Sequence, residues 1–300
     1  MDNKWKAPEL PGDIPHGDMP GDKICIGEEH IRKAKALFPE LMRMIEERGE
    51  ARTVVAVCGG SGVGKSEIAS VLAYYLGDQG IGAYVLSGDN YPRRIPREND
   101  RERQRVFRVG GLRGLVSAGL ISETVTAELR KLWEEDRDAE PNPDQEWLRV
   151  YRRAGRRALS GYLGTPAETD FDEVSGILAD FHRGAREICL KRMGREPGEL
   201  WYDRVDFSEI RVLIVEWTHG NSDYLEGVDI PVLLNSTPAE TLAHRRARNR
   251  DGKTDSAFTT LVLEIEQQKL EDQARKARLI LSKQGELLSY AEYRRIMAET

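Results

Sequence analysis

The 300-residue sequence has three cysteines, no long apolar run and no excess of positive charge. Cys25, Cys58 and Cys189 form no C-x-x-C pair, which argues against zinc and predicts reduced thiols in a cytoplasmic protein. No apolar segment reaches membrane-spanning length, and the first residues lack a signal-peptide core, so we expect no membrane partner. The formal net charge of −6 supplies no basic excess for neutralising phosphates, so we expect no nucleic-acid partner.

The composition, with 39% hydrophobic and 32% charged residues, predicts one large globular domain or a core with an inserted subdomain. Residues 1–50 are expected to form an N-terminal arm and a helix that packs on the core. Pro, Gly and Asp are frequent up to about residue 27, and amphipathic spacing predicts a helix from Glu28 to about Arg48, interrupted or kinked near Pro39. Residues 51–300 are expected to form the main domain.

A glycine-rich segment that fits G-x-x-x-x-G-K-[ST] is the clearest motif, and it consists of Gly59, Gly60, Ser61, Gly62, Val63, Gly64, Lys65 and Ser66. The β-branched run before it predicts a buried strand, and the apolar spacing after it predicts a helix. Glycines let successive N–H groups turn toward one anion, and the helix N-terminus adds its positive dipole end. The motif therefore predicts a nucleoside triphosphate site, with Lys65 reaching the β- and γ-phosphates and Ser66 ligating Mg²⁺.

Further strands are predicted over 83–86, 211–216, 230–235 and 277–281, with helical patterns between them. This order predicts an α/β fold, a P-loop NTPase-type parallel sheet of about five strands with helices on both faces. Ligands on such sheets bind at the carboxyl ends of the strands. The phosphate loop, Asp89 and Glu216 all fall at those ends.

Two regions are expected to complete the site. Residues 98–208 are dense in helical patterns, the last of them over 171–191, and predict an inserted helical region that shapes the substrate pocket. Residues 237–276 are expected to form a lid, since a capping box at Thr237 opens an arginine-rich helix. Arg246 and Arg250 are its candidate phosphate contacts, although such a run also fits a solvated face.

The candidate catalytic residues are Lys65, Asp89 and Glu216. Asp89 follows the second strand, where a carboxylate accepts a substrate proton or caps a turn. Glu216 closes an apolar strand, where it ligates Mg²⁺ or forms a structural ion pair.

Substrate contacts are expected from Asp89 and from residues close to it and to Glu216, namely Tyr91, Arg93, Arg94 and His219. Guanidinium groups beside Asp89 fit an anionic substrate, and they fit a solvated charged loop equally well. His219 fits either a substrate contact or a cap of the following turn.

These segments resemble the uridine kinase and phosphoribulokinase family of P-loop kinases. The resemblance rests on the glycine motif, on the segments 87–91 and 213–221, and more loosely on 171–184. In that family the Asp of the second motif is the catalytic base, and Asp89 occupies its place. Glu216 and His219 match the family's Glu-Gly-Ile-His-Gly. The segment 88–90 is also similar to Asp-Gly-Asp-Asn of adenylylsulfate kinase, with Ser87 in place of the first Asp.

The resemblance implies a kinase that uses ATP and Mg²⁺ to phosphorylate a hydroxyl of a sugar, sugar phosphate or nucleoside. The arginines after Asp89 favour an anionic small-molecule acceptor. Adenylylsulfate kinase is the alternative enzyme, and a nucleotide-dependent switch or ATPase is the alternative of another class. The sequence leaves the oligomeric state open, with a homodimer among the alternatives.

Overall fold

The computed structural model describes residues 5–12, 14, 16–21, 24–141, 144–237, 240–241 and 256–299. Its α-helices are α1 (Glu28–Arg48), α2 (Lys65–Asp78), α3 (Pro96–Ser117), α4 (Glu123–Glu134), α5 (Glu146–Ser160), α6 (Phe171–His182), α7 (Ala257–Gln273) and α8 (Tyr290–Ala298). Its strands are β1 (Thr53–Gly59), β2 (Gly82–Ser87), β3 (Glu187–Met193), β4 (Leu200–Asp206), β5 (Ile210–Glu216), β6 (Ile230–Leu234), β7 (Leu279–Leu281) and β8 (Leu287–Leu288).

The main sheet has the strand order β2-β5-β1-β6-β7-β8. Its first five strands pair in parallel, and β8 pairs antiparallel with β7 at the edge. The prediction of a mostly parallel sheet is confirmed, because the buried β-branched runs need cover on both faces. Glu216 pairs with Val57 of β1 and with Ser87 of β2, so three strands end at the same level.

Helices cover both faces of this sheet. On one face, α1 and α2 bury Leu37, Leu41 and Leu72 against β1, β5 and β6. On the other face, α6 buries Phe171 and Phe181 against β1, β2 and β5. Helix α1 runs through its proline at position 39 without interruption. The predicted α/β layering is therefore present.

A separate helical cluster forms beside the sheet. Helices α3, α4, α5 and α7 share a core that includes Phe107, Leu129, Tyr151 and Ile265. None of the described helices combines the length and apolarity needed to cross a membrane.

Small residues let α3 and α5 approach closely. A Cβ atom placed on Gly110 would lie 2.3 Å from the Cβ of Ala158, and one on Gly114 would lie 2.3 Å from the Cβ of Ala154. No side chain fits in these spaces without separating the helices.

The inserted region is not helical throughout, as 98–208 was expected to be. Helix α6 ends at His182, because Gly184 takes a φ of 83° and the Ala185 N–H donates to the carbonyl of Asp180. The chain then forms the antiparallel hairpin β3–β4, which leaves Trp201 and Tyr202 exposed. A substrate-binding role for this region stays a prediction.

Candidate active site

The glycine motif forms the loop between β1 and α2, as predicted. Two of its glycines are required by close contacts. Gly64 has a φ of 92°, and a Cβ there would lie 2.7 Å from the ring of His30 on α1. A Cβ on Gly59 would lie 2.7 Å from the carbonyl oxygen of Leu234. The loop is thus a compact backbone cradle at the N-terminus of a helix, which suits an anionic group.

Lys65 folds back over this loop. Its Nζ donates to the carbonyl oxygen of Gly60 over 3.2 Å. An ammonium group has three donors, so this contact leaves Lys65 able to bind an anion at the same place. A phosphate contact of Lys65 stays a prediction.

Glu216 lies in a buried cluster of oxygen atoms. Ser66 Oγ donates to one carboxylate oxygen over 3.1 Å, and Ser87 Oγ donates to the other over 2.8 Å. Burial raises the pKa of Glu216 to about 7, and the nearby charge of Asp89 adds to the rise, whereas Lys65 and the two serines oppose it. A carboxylate and two hydroxyls meet here, and such oxygen atoms are the hard ligands that Mg²⁺ prefers, so the residues fit this ion.

Asp89 lies in the short turn Gly88–Asn90 directly after β2. Its side chain is exposed, so the carboxylate is open to a substrate. The turn packs against Trp217, since a Cβ on Gly88 would overlap the indole ring at 2.0 Å. Asp89 and Glu216 therefore share one edge of the sheet, as the strand-end rule predicts.

The two arginines after Asp89 already have protein partners. Arg93 pairs with Asp170 over 2.9 Å and donates to the carbonyl oxygen of Pro166 over 2.6 Å. Arg94 donates a hydrogen bond to the Tyr162 hydroxyl oxygen over 3.0 Å, and its guanidinium lies 4.0 Å from the Glu102 carboxylate. Their assignment as substrate contacts stays a prediction.

Tyr91 lies in the core rather than at an open surface. Its side chain is fully buried in the cluster that contains Leu86, Phe171 and Leu213. The geometry therefore gives no support to the predicted substrate contact of this residue.

His219 lies beside the site in a half-buried position. A Cβ on Gly164 would lie 2.7 Å from its ring, and Trp217 stacks edge-on at 5.5 Å. The surrounding protein lowers the pKa of His219 to about 4, mainly by desolvation. The ring is therefore neutral near pH 7 and offers one donor and one acceptor to a ligand. A substrate contact stays a prediction.

Helix α7 faces the glycine-motif loop. Gly60, Ser61, Ser236, Glu266 and Gln267 line a small cavity there. Burial raises the pKa of Glu266, which faces the charges of several site residues.

The candidate lid arginines, Arg246 and Arg250, lie outside the described residues. At the predicted start of that helix, Thr237 N–H donates to the Glu240 carboxylate over 2.8 Å, and Glu240 N–H donates to Thr237 Oγ1 over 3.3 Å. These reciprocal bonds match the capping box.

Sequence reasoning missed two contributors to the site. Asp18 of the N-terminal arm accepts hydrogen bonds from the turn that carries Asp89. His30 packs against the glycine-motif loop at Gly64. Neither residue belongs to a motif, and their partners are distant in sequence, so no local signal marks them.

No protein-family model matches the chain. Over 255 residues, or 85% of its length, the chain is 40% identical to the bifunctional alpha-galactosidase/sucrose kinase AgaSK of Mediterraneibacter gnavus. It spans 23% of the length of that protein.

Two solved structures have similar backbones at low sequence identity. One is assigned as a fructose transport system kinase from Silicibacter sp. TM1040, with a TM-score of 0.48, 18% identity, and coverage of 80% of this chain and 94% of the other. The second is D-glycerate 3-kinase of Cryptococcus neoformans, with a TM-score of 0.47, 12% identity, and coverage of 88% and 98%.

Proposed function

We propose that this chain is an ATP-dependent kinase that phosphorylates a hydroxyl group of a small sugar. The observation that carries the proposal is the edge of the sheet, where the phosphate loop, the Ser66–Glu216–Ser87 cluster and the exposed Asp89 carboxylate converge. The relative's name joins a galactosidase and a sucrose kinase. The loop that would bind phosphates fits the sucrose kinase part of that name rather than the galactosidase part, because glycoside hydrolysis uses a pair of carboxylates and no nucleotide.

Each residue of the site has a proposed role. ATP with Mg²⁺ would supply the phosphoryl group and neutralise charge on the phosphate oxygens. Ser66 and Glu216 would hold the metal ion, while Lys65 and the loop amides would bind the phosphates. Asp89 would accept the proton of the acceptor hydroxyl and so make its oxygen a better nucleophile. Arg246 and Arg250 remain proposed phosphate contacts of the lid.

The contacts of the arginines favour a neutral acceptor over an anionic one. The Asp170 carboxylate already compensates the charge of Arg93, and the Glu102 carboxylate lies 4.0 Å from Arg94, so each guanidinium attracts a second anion less strongly than an unpaired one would. The neutral ring of His219 suits a sugar hydroxyl better than a phosphate group.

The test is ADP formation from ATP and Mg²⁺ across a panel of neutral sugars, sugar phosphates, nucleosides and adenylylsulfate. We expect turnover with a neutral sugar, sucrose or fructose first among them. Replacement of the candidate base, Asp89→Asn, is expected to lower kcat by about 100-fold or more, since a positioned base contributes roughly 10²–10⁴.

The matched control is Asp78→Asn, an exposed carboxylate at the end of α2, which should leave kcat within about twofold. ATP hydrolysis that ignores every acceptor and is unchanged in Asp89→Asn would contradict the proposal and favour a nucleotide switch. Turnover with a phosphorylated acceptor and with no neutral sugar would contradict the proposal that the acceptor is neutral.

A further inference from the structure

Asp18 is a buried carboxylate in the N-terminal arm, with four hydrogen-bond donors around it. Its side chain is 8% exposed. One oxygen accepts from the Ser87 N–H over 2.8 Å and from Asn90 Nδ2 over 3.2 Å. The other accepts from the Tyr84 hydroxyl over 3.0 Å and from Arg192 Nη1 over 2.9 Å. A carboxylate has room for these four donors, so the group is well satisfied.

The first of these oxygens spans the turn that carries the candidate base. Ser87 precedes Gly88, and Asn90 follows Asp89, so Asp18 holds the turn at both ends. The Asp89 carboxylate itself has no hydrogen-bond donor within the described part of the chain. Its position therefore depends on the backbone of the turn.

The same contacts join the turn to the β3–β4 hairpin. Asn90 Oδ1 accepts from the Met193 N–H over 3.1 Å, and Arg192 of the hairpin binds Asp18 directly. Arg192 also binds Asp203 over 3.0 Å, so it keeps a carboxylate partner when Asp18 is removed. Both carboxylates bind Arg192, but Asp18 also accepts hydrogen bonds from Ser87 and Asn90 at the turn.

The arm reaches the metal-ligand cluster as well. A Cβ on Gly17 would lie 4.0 Å from a carboxylate oxygen of Glu216. Ser87, whose N–H is held by Asp18, donates its hydroxyl to that same carboxylate. Asp18 thus contacts Ser87, which precedes the turn that carries Asp89 and binds Glu216 through its hydroxyl group.

We propose that Asp18 is a positioning residue of the kinase site, which sets the Ser87–Asn90 turn and through it the place of the Asp89 carboxylate. The effect on catalysis rests on the proposed function, whereas the placement of the turn by Asp18 does not depend on it. A base displaced by about 1 Å loses much of its effect, since proton transfer and attack depend on alignment. Among the described residues, Asp18 makes its hydrogen bonds to Tyr84, Ser87, Asn90 and Arg192 and to none of the loop 59–66, so the expected deficit is mainly in kcat rather than in nucleotide binding.

The test compares Asp18→Ala and Asp18→Asn with the matched control Asp203→Asn, which removes the other carboxylate of Arg192. With the preferred acceptor, we expect Asp18→Ala to lower kcat by about 10- to 100-fold and to leave the KM for ATP within about twofold. Asp18→Asn retains an oxygen for Ser87 and should lie between Asp18→Ala and the wild type. Asp203→Asn should stay within about twofold of the wild type.

Amide hydrogen exchange without substrates tests the geometric part separately. We expect exchange in the peptide that contains Ser87 to accelerate about tenfold or more in Asp18→Ala and to be unchanged in Asp203→Asn. Wild-type kcat in folded Asp18→Ala, an equal loss in Asp203→Asn, or unchanged exchange at Ser87 would each overturn the proposal. If the wild type phosphorylates no acceptor, the proposed function fails, and the exchange result still decides whether Asp18 holds the turn.

Discussion

Glu216 shows how one residue of the site sets the response of the protein to pH. The residue is 4% exposed and lies near Asp89, so burial first and the neighbouring charge second disfavour its charged form and raise its pKa from 4.5 to about 7. Between those two values the unfolded chain has lost this proton while the folded chain keeps it. The contribution of Glu216 to the stability of the ligand-free protein therefore falls as pH rises from about 4.5 to about 7, and this loss is complete above that range.

Glu216→Gln is expected to remove this loss. The amide keeps one acceptor and gains donors, so Ser66 and Ser87 retain partners, and no charge is buried at high pH. Relative to the wild type, the variant should gain about 1–3 kcal/mol in unfolding free energy between about pH 5 and pH 8. Urea unfolding without nucleotide or metal measures this.

The control for that experiment is Glu286→Gln, which alters an exposed carboxylate. Its difference from the wild type should not change with pH by more than a few tenths of a kcal/mol. A Glu216→Gln difference that is equally flat would show that the buried carboxylate is not protonated near neutral pH.

At the scale of elements, the contact between α3 and α5 is set by glycines and alanines. Gly110 faces Ala158 with no space for an added methyl group. Gly176, in the middle of α6, has nothing within 4 Å of an added Cβ. Both are helical glycines, and tertiary packing distinguishes them. Helix propensity alone would favour alanine at each position by about 1 kcal/mol.

Gly110→Ala and Gly176→Ala should therefore change the free energy of unfolding in opposite directions. The first is expected to lower the free energy of unfolding by about 1–3 kcal/mol, because overpacking separates the helices and outweighs propensity. The second should raise it by about 0.5–1 kcal/mol. Denaturant unfolding of the two variants checks this. Stabilisation by both would mean that α3 and α5 do not approach as closely as described.

At the scale of the whole molecule, ligand binding is linked to unfolding. A ligand present at 100 times its Kd stabilises the folded state by about 2.7 kcal/mol. For a protein of this size we expect ADP with Mg²⁺ to raise Tm by about 4–8 °C, and a chelator should remove most of that rise. Lys65→Ala should abolish the shift, whereas Lys35→Ala, at an exposed position on α1, should keep it. An undiminished shift in Lys65→Ala would contradict the phosphate-loop assignment.

The parts of the molecule that sequence predicts are those with local signals. The run 211–216 is apolar and β-branched enough to predict β5, and the glycine motif predicts its own strand–loop–helix context. Asp89 and Glu216 could be placed together because the ends of parallel strands share an edge.

The parts that sequence did not predict depend on distant partners. Arg93 is neutralised by Asp170, 77 residues later, and Asp18 binds Arg192, 174 residues later. The β3–β4 hairpin was not predicted, because Ile188 and Leu190 continue the apolar spacing of α6. Gly184 decides where that helix ends.

The pairing of β1 has a further consequence, which concerns how the chain folds. Both neighbours of β1 come late in the sequence, and the Val54 N–H donates to Asp229, 175 residues further on. Contacts over such separations require large loops to close, so folding is slow compared with that of proteins built from local contacts. During synthesis at roughly 5–20 residues per second, β1 waits about 10–30 s for its neighbours. In that interval its edges present unpaired N–H and C=O groups to wrong partners, and helices α1 and α2 are the first segments able to cover one of its apolar faces.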